Sequence, residues 1–247
     1  MEIIAHRGFS AEKPENTMAS FDHALESGFP YLELDVHLSL DDILYVIHDD
    51  TIDRTTNGIG FIKELHSDEI DVLDAGSWFA EEYSEQRIPT LESILIRYQG
   101  EAHIFIEMKS DSLKLIKVLR DLLLKHGWIK KQQTRNNTLE LHNVSIISFL
   151  PDQLLRSVSL NPEVNHGFLM IEPSLKNIEF CILNGIDGFF PYIEHLSQDV
   201  VTEAHDKRLF VGAWGFENFR QLDKAQELGI DGITIDWPSR ASEYISK

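Results

Sequence analysis

The chain of 247 residues carries 22 Lys and Arg against 41 Asp and Glu, a formal net charge of −19, with 43% hydrophobic and 26% charged residues. That length allows one large domain or two small ones with ample core-forming residues, and it excludes disorder as a description of the whole. The acidic balance argues against nucleic acid, whose binding draws on Lys and Arg neutralising phosphates, and against stable association with an anionic membrane surface.

Cys181 is the only cysteine, which excludes an intrachain disulfide and fits a reducing compartment. The opening run Met1–Gly8 lacks the basic segment and the long apolar core of a signal peptide. No stretch approaches the ~18 consecutive apolar residues of a membrane span. A soluble cytoplasmic protein is expected.

Short apolar runs alternate with helical patterns from end to end, as in parallel βαβ units. The first predicted strand, 2–5, runs into His6-Arg7-Gly8, and Pro14-Glu15-Asn16-Thr17 offers a cap residue for a helix over 17–27. The second strand, 31–36, contains Glu33-Leu34-Asp35, whose spacing of two puts both carboxylates on one face. Two acids so placed repel unless something positive sits between them, and a hard divalent cation is the natural candidate. Asp41-Asp42 reads as a turn into a second strand-like run, 43–47, that ends at His48-Asp49. Residues 50–90 then depart from the alternation, with turn signals at Asn57-Gly58 and an aromatic element, Gly76-Ser77-Trp78-Phe79; a segment of that length in a compact domain is usually a lid or small subdomain.

A helix over 91–98 leads to the strand 102–107, which runs into Glu107-Met108-Lys109, again with two charges on one face. Glu107 can supply a third carboxylate to the cation, and Lys109 a fixed positive charge beside it. Helix 112–126, capped by Asp111-Ser112, shows an apolar stripe of Leu115, Val118, Leu119, Leu122 and Leu123. The polar connection 128–143, with Lys130, Lys131 and Arg135, reads as a solvated loop. Strands follow at 144–148, 166–171, 186–190, 209–213 and 232–235, with helices at 151–159, 174–183, 198–206, 217–227 and 238–246. Gly28, Gly127, Gly185 and Gly229 fall just past predicted helices, where a left-handed residue closes the last turn. Eight strand–helix repeats in a chain of this length point to a (β/α)8 barrel ahead of an open doubly wound sheet.

Chemistry in such a barrel gathers where strands end. A His or Asp at one strand end is ordinarily a turn or cap residue, but barrel strands are buried on both sides and do not usually carry several acids. Arg7 and the cation can stabilise charge on a phosphodiester, while His6 and His48, with ordinary pKa values near 6.5, can share general acid and base roles. Trp214, ending the seventh strand between Gly212-Ala213 and Gly215, has little local cover and reads as a flat wall for the organic part of a substrate. Phe190 and Tyr192 flank the end of the sixth strand. Asp236, ahead of Pro238, reads as a possible helix cap and receives no role.

In chain order, His6-Arg7-Gly8, Pro14-Glu15-Asn16-Thr17, Glu33-Leu34-Asp35-Val36, His48-Asp49, Asp53-Arg54-Thr55-Thr56-Asn57-Gly58, Asp74-Ala75-Gly76-Ser77-Trp78-Phe79, Ile88-Pro89-Thr90-Leu91-Glu92, Glu107-Met108-Lys109, Trp214 and Asp231-Gly232-Ile233-Thr234-Ile235-Asp236 form an ordered set. With it the chain resembles the glycerophosphodiester phosphodiesterases from His6 to about Ser239. The resemblance implies one (β/α)8 TIM-barrel domain over 1–247 with a small insertion after the second strand, here 49–88. It implies hydrolysis of glycerophosphodiesters to sn-glycerol 3-phosphate and an alcohol with one divalent cation, Mg²⁺ or Ca²⁺. It casts His6 and His48 as the acid–base pair, Glu33, Asp35 and Glu107 as metal ligands, and Arg7 and Lys109 as phosphate contacts. Where the family commonly reads Trp-Thr-Val-Asn, this chain reads Trp214-Gly215-Phe216-Glu217-Asn218, which alters the small polar contacts after the Trp. Two other readings are a related barrel phosphodiesterase acting on lipid head groups and a catalytically idle barrel that binds phosphate esters.

Overall fold

A computed structural model describes residues 1–130 and 143–246. In chain order the elements are β1 (Glu2–His6), α1 (Met18–Glu26), β2 (Tyr31–Leu38), β3 (Leu44–Val46), α2 (Ser67–Ile70), α3 (Leu91–Arg97), β4 (His103–Met108), α4 (Leu113–Lys125) and β5 (Val144–Ser148). There follow α5 (Pro151–Leu160), β6 (Asn165–Met170), α6 (Leu175–Leu183), β7 (Gly188–Pro191), α7 (Gln198–Asp206), β8 (Phe210–Ala213), α8 (Phe219–Leu228), β9 (Gly232–Ile235) and α9 (Pro238–Ile245). Lys131 and Arg135 of the predicted polar connection lie outside the described residues.

Eight of the strands pair in parallel, from β1 through β9, β8, β7, β6, β5 and β4 to β2, and the β1–β2 pairing closes them into a barrel with helices between strands. This is the expected (β/α)8 TIM barrel. Alternation along each strand divides its residues between two cores. Ile4, Tyr31, Phe105, Ile147, Leu169 and Phe190 fill the interior, while outward residues such as Leu32, Leu34, Ile104 and Ile106 pack on the helices. The Phe190 ring occupies the space that side chains on three strands would take: a Cβ on Gly167, Gly188 or Gly212 would come within 2.4–2.5 Å of it.

The register builds the upper rim. His6 stands opposite Glu33, and Asp35 opposite Glu107, so inward residues of β1, β2 and β4 meet at the C-terminal end of the barrel. β2 runs two residues past its predicted end because β3 pairs antiparallel with it from Val36↔Val46 to Leu38↔Leu44. The expected turn at Asp41-Asp42 makes this hairpin, with Asp42 left-handed at φ +69°.

Between β3 and α3 the chain adds no barrel strand. Tyr45, Ile47, Ile52, Ile62, Ile70, Ala75 and Ile88 form a separate small core, and Tyr45 donates its hydroxyl hydrogen to Asp71 at 2.6 Å. Gly76 permits a close crossing there, since a Cβ would lie 1.9 Å from the Tyr83 carbonyl. Thr17 and Ser112 cap α1 and α4 as expected. The buried stripe of α4 is Leu115, Ile116, Leu119 and Leu123; Val118 and Leu122 lie at its edge and are only partly buried. Among the described residues no helix is long and apolar enough to cross a membrane.

Candidate active site

The turn after β1 is wound tightly enough to put two non-glycine residues, Arg7 and Asn16, in left-handed conformation, at φ +55° and +54°. Such backbone persists only where its surroundings fix it. Here the Arg7 N–H donates to Glu33 Oε2 at 3.0 Å, and the Arg7 carbonyl accepts from the Asn16 N–H and the Ser20 hydroxyl at 3.0 and 2.9 Å. Held this way, the Arg7 guanidinium donates to Glu15 at 2.9 Å and lies 3.2 Å from Asp35 Oδ2. Asn16 donates to the same Asp35 oxygen at 2.9 Å.

Glu33, Asp35 and Glu107 are buried and converge from β2 and β4. One oxygen from each fits within 4.8 Å of the others, and Glu33 Oε1 and Asp35 Oδ1 have no hydrogen-bond partner. Two oxygens bound to one ion at roughly 2.1–2.5 Å lie at most about 5 Å apart, so an all-oxygen set of this span suits a hard divalent cation. Burial and the Asp35 charge push Glu33 up to about 8 and Glu107 up to about 7 without one. Asp35 moves the other way: burial opposes its ionisation, but the Arg7 and Lys109 charges prevail and hold it below the usual carboxylate range. Lys109 Nζ donates to Glu107 at 2.8 Å and lies 3.5 Å from Asp35.

Each histidine is held by an acid. His6 Nδ1 lies 2.5 Å from Asp236 Oδ1, and its Nε2 turns toward Glu33 at 3.9 Å. Burial lowers the His6 pKa, yet the Asp236 hydrogen bond and the Glu33 charge outweigh it and leave the imidazole above its ordinary value. His48 Nδ1 lies 2.6 Å from Asp49 Oδ1. Burial and the charges of Arg7 and Lys109 keep His48 below its ordinary value despite Asp35 and Asp49. Asp49 is fixed in turn by Arg54, whose Nε donates to it at 2.7 Å while Nη1 and Nη2 donate to Glu15 at 2.8 and 2.9 Å. Hydrogen bonding to Arg54, against some burial, holds Asp49 down at about 2.

These groups line a cavity of about 520 Å³ that brings together His6, Arg7, Glu33, His48, Glu107, Lys109 and Trp214. Asp35 lies just behind, fully buried. Ile147, Phe149, Leu169 and Thr234 complete the wall and carried no sequence signal of their own. Trp214 is better covered than its small neighbours suggest. It packs on Tyr192 and Phe149 at centroid distances of 5.0 and 5.3 Å and donates Nε1–H to the Phe190 carbonyl at 3.2 Å. Phe190 sits inside the barrel, below the mouth.

Asp236 is not a helix cap. Trp237 occupies the cap position of α9, and Asp236 binds His6 and accepts from Ser10 Oγ at 3.0 Å. The signal that could have found it is the alternation Gly232, Thr234, Asp236, which aims it inward past the end of β9. Glu15, Asn16, Asp49 and Arg54 stood within sequence motifs but without roles.

The family model described as the glycerophosphoryl diester phosphodiesterase family matches residues 6–240. YhdW of Bacillus subtilis strain 168 is 32% identical over 96% of this chain and 95% of its own. A protein of Caldanaerobacter subterraneus named glycerophosphodiester phosphodiesterase is 31% identical over 99% and 98%. Among solved structures, a phosphodiesterase of Oleispira antarctica, in complex with the product sn-glycerol 3-phosphate, superposes with a TM-score of 0.88 at 27% identity, covering 100% of this chain and 97% of that one.

Proposed function

The chain belongs to the glycerophosphoryl diester phosphodiesterase family, and on that premise we propose that it hydrolyses small glycerophosphodiesters to sn-glycerol 3-phosphate and an alcohol, with one divalent cation, Mg²⁺ or Ca²⁺. The observation that carries the reading is the meeting, at one cavity, of three clustered carboxylates, two of them with an oxygen that has no hydrogen-bond partner, with two cationic side chains and two acid-held imidazoles. The product bound by the Oleispira relative supports the same substrate class. We read 1–247 as one barrel domain with an insertion over 49–88, acting in the cytoplasm, where a lone buried thiol at Cys181 is at home.

Glu33, Asp35 and Glu107 would hold the cation, which when bound supplies positive charge against the non-bridging oxygens of the diester. Arg7 and Lys109 add fixed donors for the same oxygens. His48, neutral at pH 7, accepts a proton at Nε2 from the attacking water. His6, kept protonated by Asp236, gives its Nε2 proton to the departing alcohol oxygen. One P–O bond forms and one breaks, and the two imidazoles exchange protonation states, to be reset through solvent. Trp214 offers a flat wall beside the reacting phosphate.

The test is release of glycerol 3-phosphate from glycerophosphocholine. Replacing His6 or His48 by Ala should cut turnover by about 10²–10⁴-fold, the usual worth of one acid–base group. Chelation with EDTA should abolish activity, and Mg²⁺ or Ca²⁺ should restore it. Full activity in chelator removes the cation from the mechanism, and near-unchanged turnover in either variant removes that histidine.

A further inference from the structure

Two grooves leave the catalytic cavity, and they differ in charge. One runs past Lys109 toward the insertion, where Lys63 adds a second cation beside Asp50 and Asp111. The other, of about 560 Å³, shares His6, Trp214 and Thr234 with the cavity and continues over Phe216, Glu217 and Asp236, with no Lys or Arg in its lining. A diester has two organic arms on its phosphate. The second groove shares three lining residues with the cavity, so one arm of a diester bound there can extend into it.

Asp236 already commits Oδ1 to His6 and Ser10. Glu217 is different. Its backbone N–H is tied to Gln221 Oε1 at 2.6 Å, and its exposed carboxylate has no hydrogen bond or ion pair among the described residues. The turn that presents it is fixed: Gly215 has φ +86°, and a Cβ there would lie 2.3 Å from the Tyr192 ring that also packs under Trp214. An aromatic side chain next to an unpaired carboxylate, with no competing cation, is the chemistry that recognises an ammonium group.

We propose that this groove is the head-group subsite and that it selects alcohols carrying a quaternary or primary ammonium, with Glu217 as the specificity-determining residue and Trp214 as its aromatic wall. The proposal rests on the phosphodiesterase reading above. It also suits the chain's net charge of −19, which repels anionic diesters while leaving a zwitterionic one, neutral overall, free to enter with its cation toward the acidic groove.

The test compares kcat/KM for glycerophosphocholine with that for its uncharged isostere, the 3,3-dimethylbutyl ester, in which carbon replaces the nitrogen at equal size. The metal-loaded protein should prefer the choline ester by about three- to tenfold, the worth of one exposed ion pair with a cation–π contact. In Glu217→Gln and Glu217→Asn, both folded by circular dichroism, that preference should fall by about two- to fivefold, the share of the ion pair, mainly through KM, and in the wild type it should shrink as salt rises. Equal kcat/KM for the two esters in the wild type overturns the proposal. So does a preference that both substitutions leave unchanged, or one that responds to Lys63→Met instead, which would put the head group in the other groove. If neither ester is turned over with Mg²⁺ or Ca²⁺, the phosphodiesterase reading itself fails and the subsite with it.

Discussion

Replacing Asp236 by Asn tests the pairing that carries the proposed proton donor. The Asp236 carboxylate lies 2.5 Å from His6 Nδ1, in a pair whose side chains are 31% (His6) and 51% (Asp236) exposed. A charge-assisted hydrogen bond in a dry site is worth about 1.5–3 kcal/mol, but at this exposure solvent screening reduces it to about 1 kcal/mol. His6 stands above its ordinary pKa, and among the contributions that raise it the Asp236 hydrogen bond is the largest. Without the carboxylate the pKa falls, the protonated fraction at pH 7.5 falls with it, and the alkaline limb of kcat/KM should move to lower pH. Turnover at pH 7.5 should drop up to about fivefold from the lost charge, and up to about 10³-fold if the Asn amide also favours the wrong His6 tautomer. The assay is kcat and KM for glycerophosphocholine from pH 5.5 to 9, alongside thermal melting. An unmoved alkaline limb in a folded variant, or a loss confined to KM, would refute the role given to Asp236.

Four further outcomes are expected. Arg54→Met removes the bonds to both Asp49 and Glu15, and should lower kcat about tenfold through His48 and raise KM through Arg7, with Arg54→Lys recovering part of each; steady-state kinetics checks the split. Gly212→Ala forces a Cβ to 2.5 Å from the Phe190 ring and should destabilise the barrel by about 1–3 kcal/mol, read from denaturant unfolding. Because Glu33 and Glu107 ionise only near pH 8 and 7 without a cation, Mg²⁺ or Ca²⁺ binding at pH 6.5 should release protons and strengthen as pH rises, which calorimetry in buffers of different ionisation enthalpy detects. The same raised values set the sign for the metal-free protein. The stability these two carboxyls contribute is fully present below their unfolded pKa and is lost as pH climbs toward 7 and 8, so the melting temperature should fall over that range while the increment from added cation grows.

The barrel was legible because its signals are local and repeated. The alternation that buries Ile4, Leu32 and Ile104 and the caps at Thr17 and Ser112 can each be read within a few residues. The charged pairs Glu33/Asp35 and Glu107/Lys109 were legible for the same reason, since a spacing of two fixes a shared face on any strand. What pattern does not carry is the partner of each proposed catalytic group. Asp236 lies 230 positions from His6, and Arg54 lies 39 from Glu15; only barrel closure and the packing of the insertion bring these together. Trp214 shows the same limit. Small neighbours in sequence suggested an uncovered ring, and the cover comes from Tyr192 and Phe149, just past the ends of β7 and β5.

The network around Arg54 gives the insertion a physical purpose other than covering the mouth. His48 stands beyond the end of β3, where a free loop would lose more conformational entropy in holding the imidazole in one position. Three restraints remove that freedom. β3 is zipped to the extension of β2, His37 Nε2 lies 3.0 Å from the His48 carbonyl, and Ile47 and Ile52 anchor the flanks of His48 in the small core. Arg54 then joins the result to the barrel. Its guanidinium spans Asp49, which holds His48, and Glu15, which holds Arg7, so charges alternate from the imidazole through Asp49, Arg54, Glu15 and Arg7 to Asp35 beside the proposed cation site. Each acid in that row lies between two positive or proton-bearing groups, and none can shift alone without leaving a neighbour unpaired. The proposed base and one phosphate contact are thereby set relative to each other by one side chain of the insertion, which is why a segment without barrel strands carries weight in the chemistry at the barrel mouth.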